Sequence, residues 1–199
     1  QTQKSISTID LRLKAMEKVL SGESNLYIHA SLYREINDIV NFKKKYNIAN
    51  VVIVGGYDDH LHAKKLSSNN SGVILERVHS LPERPEDDVN LPFKLPKILA
   101  DAKVTFCFQN SGDMEQMGTR NLPFYAGTAV AYGLDYEEAV RALTLNTAKL
   151  LGIDDKIGSI EEGKDATIFV SEGDALDMRT NDVTLAFIQG RSIVLDNHQ

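Results

Sequence analysis

The sequence lacks the features that mark disulfide-stabilised, membrane-spanning and nucleic-acid-binding proteins. Cysteine occurs once, at Cys107, so no disulfide can form within the chain, and its neighbours (VTFCF) predict a small buried side chain. No stretch approaches the roughly 20 apolar residues that cross a bilayer. Acidic residues outnumber basic ones, 28 to 22, so the formal net charge of −6 argues against a nucleic-acid partner.

The sequence leaves the cellular compartment open. Its polar first residues (QTQKS) lack the apolar core of a signal peptide. A signal peptide encoded upstream would still direct the protein out of the cytoplasm, so both cytoplasmic and exported locations remain compatible with the residues.

Apolar segments with strand character alternate with helical segments over the first three quarters of the chain. Strands are predicted at residues 26–30, 50–54, 72–75 and 104–108. Helical periodicity lies around and between them, at residues 8–20, 32–46, 58–66, 95–102, 120–134, 136–145 and 147–151. Because each strand is an almost unbroken apolar run flanked by helices, the pattern predicts an α/β fold with a parallel sheet covered on both faces.

The character of the sequence changes after Gly152. Short β-like runs set between Gly, Asp and Asn turns are predicted at residues 157–160, 166–170, 183–188 and 192–195. We therefore divide the chain into residues 1–151 and 152–199. The second part is too short to bury a satisfactory core alone, so it must pack against another structure.

Three segments carry a family resemblance. Residues 158–167 (GSIEEGKDAT) are similar to the GS-x-x-x-GK-x-AD signature of the amidohydrolase superfamily, and residues 142–152 (ALTLNTAKLLG) to its T-x-N-x-A-x-x-LG helix pair. Residues 183–193 resemble its closing hairpin. The chain thus resembles the C-terminal half of metal-dependent amidohydrolases of the imidazolonepropionase-like kind. Turns and packing would also explain these residues, none of which is chemically reactive.

The first of these segments also contains G-x-x-x-x-G-K, a partial phosphate-loop pattern. Asp165 stands where such a loop needs a Ser or Thr for magnesium, and a β-like run follows instead of a helix. Nucleotide binding is therefore disfavoured.

The resemblance implies a fold and a chemistry. It implies the later strands of a (β/α)₈ TIM-type barrel followed by strands of a small flanking β-sandwich. It also implies water activated by one or two divalent metals, most often zinc, at the C-terminal mouth of the barrel. The family's first-strand His-x-His pair would precede this chain. Histidines on the fifth and sixth strands and an aspartate after the eighth would fall within it.

The resemblance assigns one metal ligand here, His29, at the position of the fifth-strand histidine. A histidine hydrogen-bonded within the barrel is the alternative. At the sixth-strand position the chain has Gly55 and Gly56 instead, which departs from the family. His60 and His62 have His-x-His spacing, but on a helix they point in different directions, so metal binding by this pair is disfavoured.

Three further residues are candidates at the same end of the barrel. Asp113 follows the eighth-strand position by several residues and is the candidate catalytic carboxylate; a turn or helix cap is its alternative. Arg77 and His79 follow the seventh strand and are candidate substrate-binding residues; ion pairs that anchor the loop are their alternative. The loop between residues 78 and 95 carries four acidic residues among prolines and is interpreted as a solvated loop.

The implied function is part of a metal-dependent hydrolase of amide or cyclic-amide C–N bonds, inactive as this half alone. The alternatives are a metal-free descendant that binds a ligand or partner, and a unit of assembly. We expect a small-molecule substrate and neither nucleic acid nor membrane. Four barrel strands would leave two unpaired edges, which predicts a homo-oligomer or pairing with the missing N-terminal half.

Overall fold

The computed structural model of the chain describes residues 10–111 and 115–195. A four-stranded sheet runs in the order β1-β2-β3-β4, and all three strand pairs are parallel. The strands are β1 Leu26–Ala30, β2 Val51–Gly55, β3 Gly72–Leu75 and β4 Phe106–Phe108. The parallel α/β sheet is thereby confirmed. A closed barrel is not, because within the described residues the sheet ends at β1 on one side and at β4 on the other.

Helices connect these strands and follow the last of them. They are α1 Leu11–Ala15, α2 Glu17–Leu20, α3 Tyr33–Tyr46, α4 Asp59–Ser68, α5 Leu91–Asp101, α6 Glu115–Gly118, α7 Leu122–Ala131, α8 Tyr136–Leu143 and α9 Leu145–Leu151, with a 3₁₀ turn at Thr119–Asn121. The predicted helix at residues 8–20 is interrupted at Met16. Helix α5 starts earlier than predicted because Pro92 occupies its first turn, where its missing N–H costs nothing.

The main core lies between the helices and one face of the sheet. Ile53, Val73 and Phe106 are aligned across β2, β3 and β4, and all three are buried. Helix α3 packs Ile36 against this core, and α5 packs Leu99 against it. The alternation of strand side chains therefore assigns this face to the helices, and the remaining strand residues to the opposite face.

The opposite face of the sheet is partly covered by α9. One row of aligned residues there runs His29, Val54, Ile74 and Cys107. Leu150 of α9 packs against this face, forming a small buried cluster that includes Cys107 and Val52. The predicted burial of Cys107 is confirmed, and burial raises the pKa of its thiol to about 11.

Helix α9 is also hydrogen-bonded to the start of β1. The Asn25 amide donates to the Leu150 carbonyl at 2.9 Å, and the Tyr27 hydroxyl donates to the same oxygen at 2.7 Å. This pair of hydrogen bonds holds α9 against the start of β1, at the opposite end of the strand from His29.

The C-terminal part forms a second, antiparallel sheet. Its strands are β5 Ile168–Ser171, β6 Val183–Ile188 and β7 Arg191–Ile193. The prediction of a strand at residues 157–160 was wrong, because Gly158 has φ +97° and lies against α9, while Ile160 is 90% exposed. Apolar side chains remain exposed on both faces of this sheet, among them Phe169 and Leu185.

The segment before β6 fastens this part to the rest of the protein. Leu176 is buried in the main core, and its carbonyl lies so close to Gly127 of α7 that a Cβ at residue 127 would overlap it. Beside it, the Tyr136 hydroxyl donates to an Asp174 carboxylate oxygen at 2.8 Å. None of the helices within the described ranges combines the length and apolarity that crossing a bilayer requires.

Candidate active site

His29 lies at the upper end of β1 on the open face of the sheet. It is aligned with Val54 of β2, and its side chain is exposed. Among the described residues it has no hydrogen-bond or ion-pair partner, and both its metal-ligand role and its alternative as a hydrogen-bonded histidine within the barrel stay predictions. Its ring is available to a ligand at the end of the strands where barrel active sites lie.

The backbone leaves no room for a side chain at Gly55, where the resemblance implies a sixth-strand ligand. Gly55 has φ +117° and Gly56 has φ +73°, both in the region that side chains rarely adopt. A Cβ at residue 55 would lie 2.7 Å from the Ser31 hydroxyl and 2.9 Å from the Ala30 carbonyl oxygen. The chain therefore departs from the family pattern in its backbone conformation at residues 55 and 56 as well as in the identity of the side chain.

We expect Gly55→His to destabilise the protein without creating a zinc site. The imidazole would force residue 55 out of its present conformation, at a strain cost of about 1–3 kcal/mol. Urea unfolding measures the loss, and zinc titration of the folded variant measures binding. Gly55→Ala is the control, which should show most of the same destabilisation. Zinc binding by the histidine variant with unchanged stability would contradict the expectation.

The two helical histidines are engaged elsewhere. His62 is buried on α4, its Nε2 lies 2.9 Å from the Tyr33 carbonyl oxygen, and its ring stacks on Tyr33 at 4.1 Å. The Nδ1 of His60 lies 3.1 Å from the Tyr57 carbonyl oxygen. In the part of the chain that the structure describes, no three His, Cys, Asp or Glu side chains converge as metal ligands.

An ion-pair network that the sequence did not reveal holds the long loop after β3. Arg84 donates to both carboxylate oxygens of Asp58, at 2.7 and 3.1 Å, and to Asp87 at 3.0 Å. Asp87 also accepts a 2.7 Å hydrogen bond from the Tyr57 hydroxyl, and burial together with this contact raises the pKa of Tyr57 to about 12. The interpretation of this segment as a solvated loop was thus partly wrong, because Arg84 and Asp87 anchor it over the end of β2.

Asp59, the first residue of α4, is a buried carboxyl without a partner. It is fully inaccessible, and neither of its oxygens has a hydrogen-bond partner within the described residues. Burial, followed by the negative charge of Asp58, raises its pKa well above the ordinary value. The pKa values of these two neighbouring carboxyls are therefore shifted in opposite directions, lowered for Asp58 and raised for Asp59.

Arg77 and His79 come together, but not with His29. Both line a cavity of about 630 Å³ that is also bounded by Phe93 of α5 and by Thr128 of α7. Arg77 lies two residues beyond the end of β3, and His29 is not among the residues that line this cavity. Their assignment to substrate binding stays a prediction. Asp113, the candidate catalytic carboxylate, lies outside the described residues.

Comparison with the sequences of known proteins identifies one family. The sequence profile of the amidohydrolase family matches residues 14–193. An imidazolonepropionase of Thermoplasma volcanium is 46% identical over 55 residues, which is 27% of this chain and 14% of that protein. The chain thus corresponds to a small part of that curated relative at the level of sequence.

Solved structures extend the likeness to nearly the whole chain. An amidohydrolase from Thermotoga maritima superposes with a TM-score of 0.81 at 26% identity, covering 96% of this chain and 49% of that one. An adenosine deaminase from Xanthomonas campestris with bound zinc has a TM-score of 0.56 at 18% identity, covering 91% and 47%, and shows the fold alone. The chain spans about half the length of these proteins. The profile match over residues 14–193 establishes that the chain belongs to the amidohydrolase family, and the superposition with the Thermotoga maritima structure agrees with it.

Proposed function

We propose that the chain supplies half of a hydrolase that cleaves C–N bonds of amides or cyclic amides. Family membership supports the reaction class, and the four parallel strands support a half-barrel framework. The observation that carries the proposal is His29. Its imidazole is exposed, has no partner among the residues that the structure describes, and lies at the C-terminal end of β1, where barrel enzymes place their catalytic groups.

The described residues do not hold a metal by themselves. Zinc, the metal we expect in the intact enzyme, takes at least three protein ligands, and His29 is the one candidate on the open face of the described sheet. The closed backbone at Gly55 removes the sixth-strand position from the donor set. We therefore propose that the chain is inactive alone and that further ligands come from outside the described residues.

We also propose that the open sheet pairs with the missing N-terminal half or with a second copy. The edges at β1 and β4 offer unpaired backbone groups, and the upper part of the interior face carries exposed His29. The apolar residues exposed on the β5-β6-β7 sheet support the same proposal, since such surfaces are normally covered. Light scattering of the chain with and without the missing half would test it, and a stable monomer at high concentration would contradict it.

Substitution of His29 tests the catalytic proposal. In the intact protein, we expect His29→Ala to remove bound zinc and to lower amide hydrolysis about 100-fold or more, with little change in stability because the ring is exposed. Elemental analysis, a hydrolase assay and thermal unfolding measure the three effects. His60→Ala, on α4, is the control that should keep both metal and activity. Unchanged turnover in His29→Ala would refute the assignment.

A metal-free binding protein is the second candidate function. The glycine backbone at residue 55 favours it, because the family's sixth-strand ligand position cannot accept a side chain there. An intact protein that carries no metal after expression in zinc-supplemented medium, and that shows no hydrolysis, would support this candidate over the first.

A further inference from the structure

The cavity beside β3 is open to solvent and has the volume of a small-molecule site. Its volume of about 630 Å³ lies between the segment that follows β3 and helices α5 and α7. Sites for small ligands typically enclose 300–1,000 Å³, roughly, with mostly apolar walls and a few placed polar groups. This cavity has that composition, since Leu81, Phe93 and Tyr132 form its apolar walls and Arg77 and His79 its polar groups.

The Arg77 guanidinium lacks a counter-charge. Among the described residues it forms no ion pair and no hydrogen bond, and its Nε is buried without an acceptor. A buried donor left without an acceptor costs free energy, and an anion in the cavity would lie beside the positive charge of Arg77, which lines it. The positive charge is also felt by its neighbour, because burial and then Arg77 lower the pKa of His79.

The His79 ring is held in one orientation. Its Nε2 lies 2.7 Å from the Thr128 hydroxyl oxygen, and that hydroxyl donates its only proton to the Phe124 carbonyl at 2.9 Å. The contact with Thr128 therefore fixes the position of Nε2. The edge contact with Tyr125, at 4.6 Å between ring centroids, fixes the ring plane further.

The aromatic side chains that line the cavity can pack against a planar apolar group of a ligand. The rings of Phe93 and Tyr132 lie 5.0 Å apart at 34°. The Tyr132 hydroxyl is engaged with Asn90 at 3.2 Å, so Tyr132 offers its ring rather than its polar group to the cavity. Aromatic walls of this kind bind planar groups through stacking and apolar contact.

We propose that this cavity binds a small carboxylate with an aromatic body, its carboxylate paired with Arg77 and its ring packed against Phe93 and Tyr132. The planar guanidinium can donate two parallel hydrogen bonds to a carboxylate, which a neutral amide cannot accept equally well. The proposal goes beyond the hydrolase function, because binding at this cavity requires neither metal nor turnover.

Calorimetric titration of the full chain with benzoate and with neutral benzamide tests the proposal. We expect benzoate to bind with a Kd on the order of 1 mM and benzamide to bind at least about 10-fold more weakly. The two probes have the same shape and differ in charge, so the comparison needs no variant. Absence of benzoate binding up to about 20 mM, or equal affinity for both probes, would overturn the proposal.

Variants of Arg77 locate the binding. We expect Arg77→Met to weaken benzoate binding by about 10-fold or more, with Arg77→Lys intermediate. Arg34→Met, which removes an exposed guanidinium from α3, should bind benzoate as the wild type does. Circular dichroism verifies folding. Full benzoate affinity in folded Arg77→Met would overturn the proposal, and if that variant does not fold, the two probes on the wild type decide alone. The titrations measure benzoate binding alone, so their outcome does not depend on whether the intact protein is a hydrolase.

Discussion

Arg84→Met is expected to lower the free energy of unfolding by about 2–4 kcal/mol, because it leaves a buried carboxylate without its partner. Asp58 is 2% exposed, and its remaining hydrogen bond comes from the Tyr33 backbone N–H at 2.9 Å. The Arg84 side chain is 34% exposed, which places the expected loss below that of a fully buried pair. Urea unfolding of wild type and variant measures the difference.

An exposed ion pair of the same kind provides the control. Arg179 pairs with Asp177 at 2.7 Å, but the arginine side chain is 83% exposed. We expect Arg179→Met to cost less than about 1 kcal/mol, since exposed pairs contribute little. Equal losses in the two variants would show that the Arg84 pair contributes no more than a surface contact.

The effect of Arg84→Met should also depend on pH. Burial alone would raise the pKa of Asp58, but the hydrogen bonds from Arg84 and Tyr33 and the charge of Arg84 outweigh it, so the pKa is lowered. A carboxyl whose pKa is lower in the folded state than in the unfolded state stabilises the protein at pH values above its unfolded-state pKa, about 3.9 for Asp. This contribution is lost as the pH falls through the folded-state pKa. The difference between wild type and variant should therefore shrink below about pH 4. A difference that is constant with pH would contradict this account.

Asp59→Asn is expected to stabilise the protein, and increasingly so as the pH rises. The raised pKa means that the folded protein keeps the Asp59 proton over a range in which the unfolded chain has released it. Stability from this group is thus greatest below the unfolded pKa of about 3.9 and decreases with rising pH, by up to about 1.4 kcal/mol per unit, until the folded pKa is reached. Asparagine has nearly the same shape and no proton to release, so it removes this decrease.

Unfolding by urea at about pH 5 and about pH 7 measures the gain, which should be larger at the higher pH. Asp38→Asn, on the exposed face of α3, is the control and should change stability little at either pH. An Asp59→Asn variant that is no more stable than wild type at about pH 7, or whose gain does not grow with pH, would contradict the expectation.

The strands of the parallel sheet could be predicted from the sequence because each one is a local run of apolar residues. The apolar runs that became β1 to β4 are short, rich in β-branched or aromatic residues, and bounded by turns or helices. The segment at residues 157–160 was misleading for the same reason, since two isoleucines resemble a strand. The positive φ of Gly158 and its close approach to α9 prevent that conformation, and neither is visible in composition.

The candidate site was harder to predict because its contacts join distant parts of the chain. Arg84 and Asp58 are 26 residues apart, and no local pattern pairs an arginine in a proline-rich loop with an aspartate before a helix. His29 could be proposed as a candidate because its strand and its position in the family pattern are local features, and its role stays a prediction. The burial of Asp59 could not be predicted, since an aspartate at a helix start is ordinarily a solvated group favoured by the helix dipole.

The glycine pair at residues 55 and 56 has an evolutionary consequence. A lineage can lose a ligand by one substitution and regain it by the reverse substitution only while the backbone stays compatible with both residues. Here the end of β2 lies within contact of Ser31 and Ala30, so a histidine at residue 55 would first require a new backbone path for two neighbouring segments. A single substitution is therefore insufficient to place a metal ligand at this strand end.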